Sequence, residues 1–259
     1  MLSSKNIGIE VIFLKQYVSV FMLHLKSIWY RLLLLFLAMA VGESFLFFRQ
    51  LQRVLPAGSS HQEQIRAALA LVIEDSHISL VFLAGLALTA ILLCLHGYEW
   101  NTKSSYTIQR LSLPGWNYFL LQGFFSSLVF LVLFFFQIAL ILCLCFGYFK
   151  QMPEQYYSNQ TLFTTFYRSH FLYSLLPLAD GFRQITNLIM MAALGFASAY
   201  FSYCSRLGEK YGPIPVYLFV CLLSFQSSFG SYVYLILLTS SLLCLFWILI
   251  SSYGKEARL

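Results

Sequence analysis

The chain is 259 residues long, 59% apolar and only 10% charged, with 16 Lys+Arg against 10 Asp+Glu. Soluble domains carry roughly 25% charged residues, so a mean hydropathy of +0.75 excludes soluble globular, disordered, collagen-like and coiled-coil chains. Lipid is the solvent for most of this one. The net charge of +6 is spread without any Lys/Arg run able to track a phosphate backbone, which argues against a nucleic-acid partner.

Residues 1–27 come first. Ile7, Val11, Leu14, Val18, Phe21 and Leu25 recur at helical intervals, while Lys15, Ser19 and Lys26 share a narrow stripe at about 100° per residue. A basic stripe on an apolar helix suits the membrane surface, so an interfacial elbow helix is expected here. A seventh span is the alternative, but Glu10, Lys15, Gln16 and His24 make it costly. The N-terminus lacks the basic start, short apolar stretch and cleavage site of a secretory signal, so the first residues are expected to be retained.

Apolar runs of spanning length follow at 28–48, 77–97, 118–146, 182–203, 214–229 and 232–250. A span takes about 20 residues, and backbone groups in hydrocarbon must be paired within their own segment, so these runs predict helices. The expected fold is an all-α polytopic membrane protein. One transmembrane domain covers 1–259, with a six-helix bundle over 28–250 and a cytoplasmic tail over 251–259. No length remains for a separate soluble domain. The last two spans rest on Ser227, Ser228 and Gly230 as their turn signal. A single helix over that stretch would be about 55 Å long, far beyond the hydrocarbon core.

Between the first two spans, Ser60 and Glu63 have capping-box spacing, and Ile65, Ala68, Leu69 and Val72 predict a short amphipathic helix. The connection 150–180 is rich in Tyr, Phe and Thr, as suits headgroup depth. Lys5, Lys15, Lys26, Arg31, Lys103, Arg110, Arg206, Lys210, Lys255 and Arg258 fall on one side of the bundle. Arg49, Arg53, Arg66, Lys150, Arg168 and Arg183 fall on the other. The positive-inside rule then places both termini in the cytoplasm of a bacterial cell membrane.

A constellation for covalent chemistry is hard to find. There is no G-x-x-x-x-G-K-[ST], no G-x-S-x-G and no H-E-x-x-H. The six cysteines lie in or beside apolar runs and read as small hydrophobes, without zinc spacing. No metal or cofactor is expected on this chain. Glu74, Asp75 and His77 fit capping better than a metal or proton site, and His96 with Glu99 fits a simple hydrogen bond. Glu43 is the clear charge within a span and a candidate for the cargo pathway. Asn187 is a second candidate, one turn deeper than the Asp180–Arg183 pair, where Asp180 reads as an N-cap. So few intramembrane carboxylates argue against an ion-coupled carrier.

The connection between the second and third spans runs EWNTKSSYTIQRLSLPGW over 99–116. Its acidic start, the Thr107-Ile108 pair and the Leu111-Ser112-Leu113-Pro114 run before a long apolar span resemble the permease subunits of ABC-2 type transporters. The whole-chain pattern of elbow, six spans and internal termini is similar too. The resemblance implies a transport subunit that is not an enzyme. Its ATP and Mg would be held by a separate ATPase subunit dimer, and it would pair with a second, identical or related, permease subunit. The cargo implied is an amphipathic lipid, peptide or drug-like molecule. It also implies a coupling helix that docks on the ATPase, with Ser104 or Ser105 as cap and Tyr106, Ile108, Gln109, Arg110 and Leu111 as its body. Glu99 marks its start. Arg206, Glu209 and Lys210 form a weaker second contact. The other readings are a membrane-embedded enzyme using Glu43, Glu74, Asp75 or His77, and an ATP-independent channel or carrier.

Overall fold

The computed structural model describes residues 3–54, 62–96, 115–151, 159–178, 180–206, 214–226 and 231–256. All the regular structure among them is helical: α1 Ser3–Val54, α2 Gln62–Asp75, α3 Ile78–His96, α4 Gly115–Gln151, α5 Asn159–Arg168, α6 His170–Leu175, α7 Gly181–Arg206, α8 Ile214–Gln226 and α9 Ser231–Glu256. Among the described residues, five stretches are long and apolar enough to cross a membrane: Tyr17–Arg53, Ile78–Leu95, Gly115–Lys150, Gly181–Ser205 and Tyr232–Gly254. The chain is a polytopic, all-helical membrane protein.

Helix contacts fix the directions. α1 and α4 run parallel, because Tyr17 meets Asn117 at one end and Glu43 meets Gln137 farther along. α3 runs against α1, with Met39 beside Gly85 and Gly42 beside Val81. α7 runs against α4, where Gln122 bonds Ser202 and Ser127 bonds Ala192. α9 is parallel to α7, since Arg183 faces Tyr234 and Tyr200 reaches Ser251. α8 opposes both, since Tyr217 near its start meets Met190 and Ser241 while Phe225 near its end meets Ser174, which Asn187 also bonds, nearer the start of α7. Direction therefore alternates through the six apolar helices. The start of α1, the start of α4 and the end of α9 share one end of the bundle, with Trp116 against Tyr253. The short helices α2, α5 and α6 cap the other.

Three elements differ from the sequence reading. α1 continues unbroken through the expected elbow into the first span, 52 residues or about 78 Å. From Tyr17 onward it already packs in the bundle: Val20 and Ile28 are buried, and the His24 ring lies against Tyr118 and Phe125. The expected fifth span is the 13-residue α8, about 20 Å long and short of the hydrocarbon thickness. Tyr217, near its start, lies level with Met190 near the middle of α7, so α8 accompanies only the capped half of α7. The tail, expected from 251, begins inside α9, which runs to Glu256.

Two local features hold the frame. α4 and α7 form the most extensive helix pair, and Gly195 lets them approach until a Cβ there would collide with the Ser127 backbone. Small residues permit the close contact that drives association in lipid. At the α2–α3 corner His77 has φ 56°, a left-handed conformation that His tolerates better than branched residues do. α2 confirms the helix expected from the 65–72 periodicity, with Leu69 and Val72 buried.

Candidate functional site: polar groups buried between the helices

Buried polar side chains in an apolar bundle are the places where chemistry or specificity concentrates. Glu43 and Gln137 are both fully buried. Gln137 Nε2 donates to Glu43 Oε2 at 2.8 Å, joining α1 to α4. The second carboxylate oxygen, Glu43 Oε1, and the amide oxygen, Gln137 Oε1, have no hydrogen-bond partner among the described residues. Both side chains are enclosed by protein, so Glu43 is engaged between helices.

Asn187 belongs to a different knot. Its Nδ2 donates to the Ser174 carbonyl at 2.9 Å, and Ser174 Oγ donates to Phe171 O and to Phe225 O at 2.7 and 3.0 Å. One amide and one hydroxyl thus tie α7 to α6 and α6 to the end of α8. The structure gives Glu43 and Asn187 separate partners; both lie toward the capped end.

The start of α7 adds an electrostatic corner. Asp180 takes the N-cap position, its carbonyl accepting from Arg183 N and Gln184 N. Its carboxylate turns instead to Tyr173, whose Oη donates to it at 2.6 Å. That bond, strengthened by burial, holds the Tyr173 hydroxyl above its usual pKa. Arg183 is 3% exposed, with its guanidinium carbon 4.8 Å from the Tyr173 ring centre and 4.2 Å from that of Tyr234. Cation–π contacts with the two rings replace part of the lost water.

The proposed coupling residues Glu99, Tyr106, Ile108, Arg110 and Leu111 lie outside the described residues, as does Glu209. Arg206 is the last residue of α7. The flanks of the 97–114 connection are clear: it leaves α3 at His96 and enters α4 at Gly115, at the end of the bundle shared by Tyr17 and Tyr253. Glu74, Asp75 and His77 do not converge on a ligand. Glu74 Oε1 accepts from the His170 backbone N at 2.8 Å, and among the described residues no group of three His, Cys, Asp or Glu is placed to hold a metal. The six cysteines are free; Cys145 is buried and Cys143 exposed, as a two-residue spacing on a helix requires.

Sequence reasoning missed Gln137, Ser174, Tyr217 and the Tyr173/Tyr234 pair. Gln122 and Gln137 interrupt an otherwise apolar α4, and that interruption was the available signal, since an amide inside a span needs an interhelical partner. An apolar groove of about 760 Å³ also runs between α1 and α4, walled by Phe21, Trp29, Phe36, Phe125, Val132 and Phe136. Neither a family model, nor a curated protein, nor a solved structure matches this chain.

Proposed function

We propose that the chain is the transmembrane permease subunit of an ABC-2 type exporter, working with a second permease subunit and a dimer of ATPase subunits. The observation that carries this reading is topological. The 97–114 connection, which holds the family-like Glu99…Leu-Ser-Leu-Pro pattern, joins α3 to α4 at the same end as the start of α1 and the end of α9. A docking segment in this connection would lead directly into the long α4, which packs against α7 along the bundle. Motion of an ATPase bound at that end therefore has a stiff element to act through.

In this reading α8 counts as the sixth crossing, and the turns of α1 before Tyr17 serve as the surface elbow. Tyr106 and Arg110 are the anchors in the ATPase groove, with Ile108 and Leu111 beside them and Arg206 and Glu209 in a lesser contact. Glu43 and Asn187 hold the helices that border the cargo path. The apolar groove between α1 and α4 suits the aliphatic or aromatic part of an amphipathic cargo. ATP and Mg bind the partner, and this subunit performs no covalent step.

The test is copurification followed by mutation. Full-length chain is expected to bring down a stoichiometric partner carrying a Walker motif. Tyr106→Ala with Arg110→Glu is expected to weaken that association roughly thirtyfold, the loss of a typical interface anchor pair. Transport by the purified chain without any ATPase, or full association of the double variant, refutes the reading.

A further inference from the structure

Arg183 is a buried cation with unused bonds. Among the described residues its Nε and Nη2 have no hydrogen-bond partner, although the side chain is only 3% exposed. These two nitrogens carry the N–H groups that point off one edge of the guanidinium, the edge that grips two oxygens of a phosphate or carboxylate side by side. The guanidinium carbon lies 4.8 Å from the Tyr173 ring centre and 4.2 Å from that of Tyr234, and neither tyrosine bonds Nε or Nη2. The nearest acid in sequence does not fill that edge: the Asp180 carboxylate accepts from Tyr173 Oη. Buried polar groups left unmade are rare, and each calls for an explanation.

The surroundings supply one. Tyr173 covers Arg183 and also lines a cavity of about 320 Å³, whose walls include Phe163, Phe166, Tyr167, Arg168 and Leu176. The walls are mostly aromatic and aliphatic, and Arg168 adds an exposed cation. Tyr173 borders both the apolar cavity and the guanidinium, so a turn of its side chain is the movement that would bring the two together.

We propose that this corner of α5, α6, α7 and α9 is a binding site for an amphipathic oxyanion, with its phosphate or carboxylate on the Nε–Nη2 edge of Arg183 and its apolar part in the adjoining cavity. The site lies at the capped end of the bundle, far from the 97–114 connection. It stands whether or not an ATPase drives the protein.

The experiment uses the full chain in nanodiscs of phosphatidylcholine, to which phosphatidylglycerol or inorganic phosphate is added. Thermal unfolding and amide exchange of residues 181–190 are followed. Phosphatidylglycerol is expected to raise the unfolding temperature and slow exchange at the start of α7. Arg183→Lys keeps the charge but loses the fork, and is expected to need roughly ten to a hundred times more of the lipid for the same effect. Arg53→Gln, which removes an exposed cation at the same end, is expected to change nothing. Protection by phosphatidylglycerol alone assigns the site to a lipid headgroup, and equal protection by inorganic phosphate assigns it to a free oxyanion. Absence of protection by both probes in the unaltered protein overturns the proposal, as does undiminished protection in Arg183→Lys. If the variant does not fold, the exchange comparison on the unaltered protein decides.

Discussion

Glu43 and Gln137 pose a problem of arithmetic that only a pair of substitutions resolves. Each is fully buried, each has one oxygen without a partner, and the 2.8 Å bond between them is what keeps the remaining polar atoms satisfied. Removing either partner leaves the other stranded in an apolar interface, which costs about 1–3 kcal/mol. Removing both leaves a dry contact between α1 and α4. Glu43→Leu and Gln137→Leu are therefore each expected to destabilise, and the double variant to lose less than the sum of the two. The coupling is expected to be at least about 0.5 kcal/mol, read from reversible unfolding of the detergent-solubilised protein. Strict additivity shows that the pair does not act as a unit. Glu43 was conspicuous in the sequence because a carboxylate inside an apolar run is rare. Its partner was not, because Gln137 is separated from it by 94 positions and nothing local marks which amide a buried acid will meet.

At the scale of helices, the long apolar runs announced themselves and their ends did not. α3, α4, α7 and α9 overlap the expected spans closely, since lipid allows a spanning segment few conformations besides a helix. The elbow was harder: residues 20–35 contain no Pro or Gly, and Ser27, their one cap-type residue, does not interrupt the helix. The helix simply continues. α8 departs in the opposite sense, by being shorter than the expected span: apolar content predicts burial in lipid or in protein alike, and a 13-residue helix fastened through Tyr217 to α7 and α9 obtains part of its burial from neighbours. The α4–α7 seam is where an element-level prediction bites. A Cβ at Gly195 overlaps the Ser127 backbone, which has no flexible end to give way. Gly195→Ala is expected to push the helices apart and to cost about 1–3 kcal/mol as an overpacked core does, also disturbing the bond from Ser127 Oγ to the Ala192 carbonyl. Gly85→Ala meets only the Met39 side chain, which can swing aside, so it is expected to be the milder change in the same unfolding measurement.

For the molecule as a whole, alternating helix direction turns charge bookkeeping into a statement about sidedness. The connections at the end shared by the start of α1 and the end of α9 carry more Lys and Arg than those at the capped end, to which Arg49, Arg53, Arg66, Lys150, Arg168 and Arg183 belong. Retention of cationic segments during insertion then favours cytoplasmic termini, and the Arg183 corner would face outward. Reporter fusions after residue 259 and before residue 1 are expected to read as cytoplasmic together. In a cysteine-free background, Arg168→Cys on exposed α5 is expected to react with a membrane-impermeant maleimide added to intact cells. The paired result is the discriminating one. If the short α8 turns back without crossing, the two ends separate: the C-terminal fusion reads as external while the N-terminal one stays inside. The α7–α9 parallelism seen from Arg183 with Tyr234 and Tyr200 with Ser251 opposes that outcome, because a chain that returned to the same face between α7 and α9 would make the two helices antiparallel. Opposite sides for the two termini would therefore contradict the fold itself, whereas matched external termini would leave the fold intact and reverse only the orientation on which a cytoplasmic coupling segment depends.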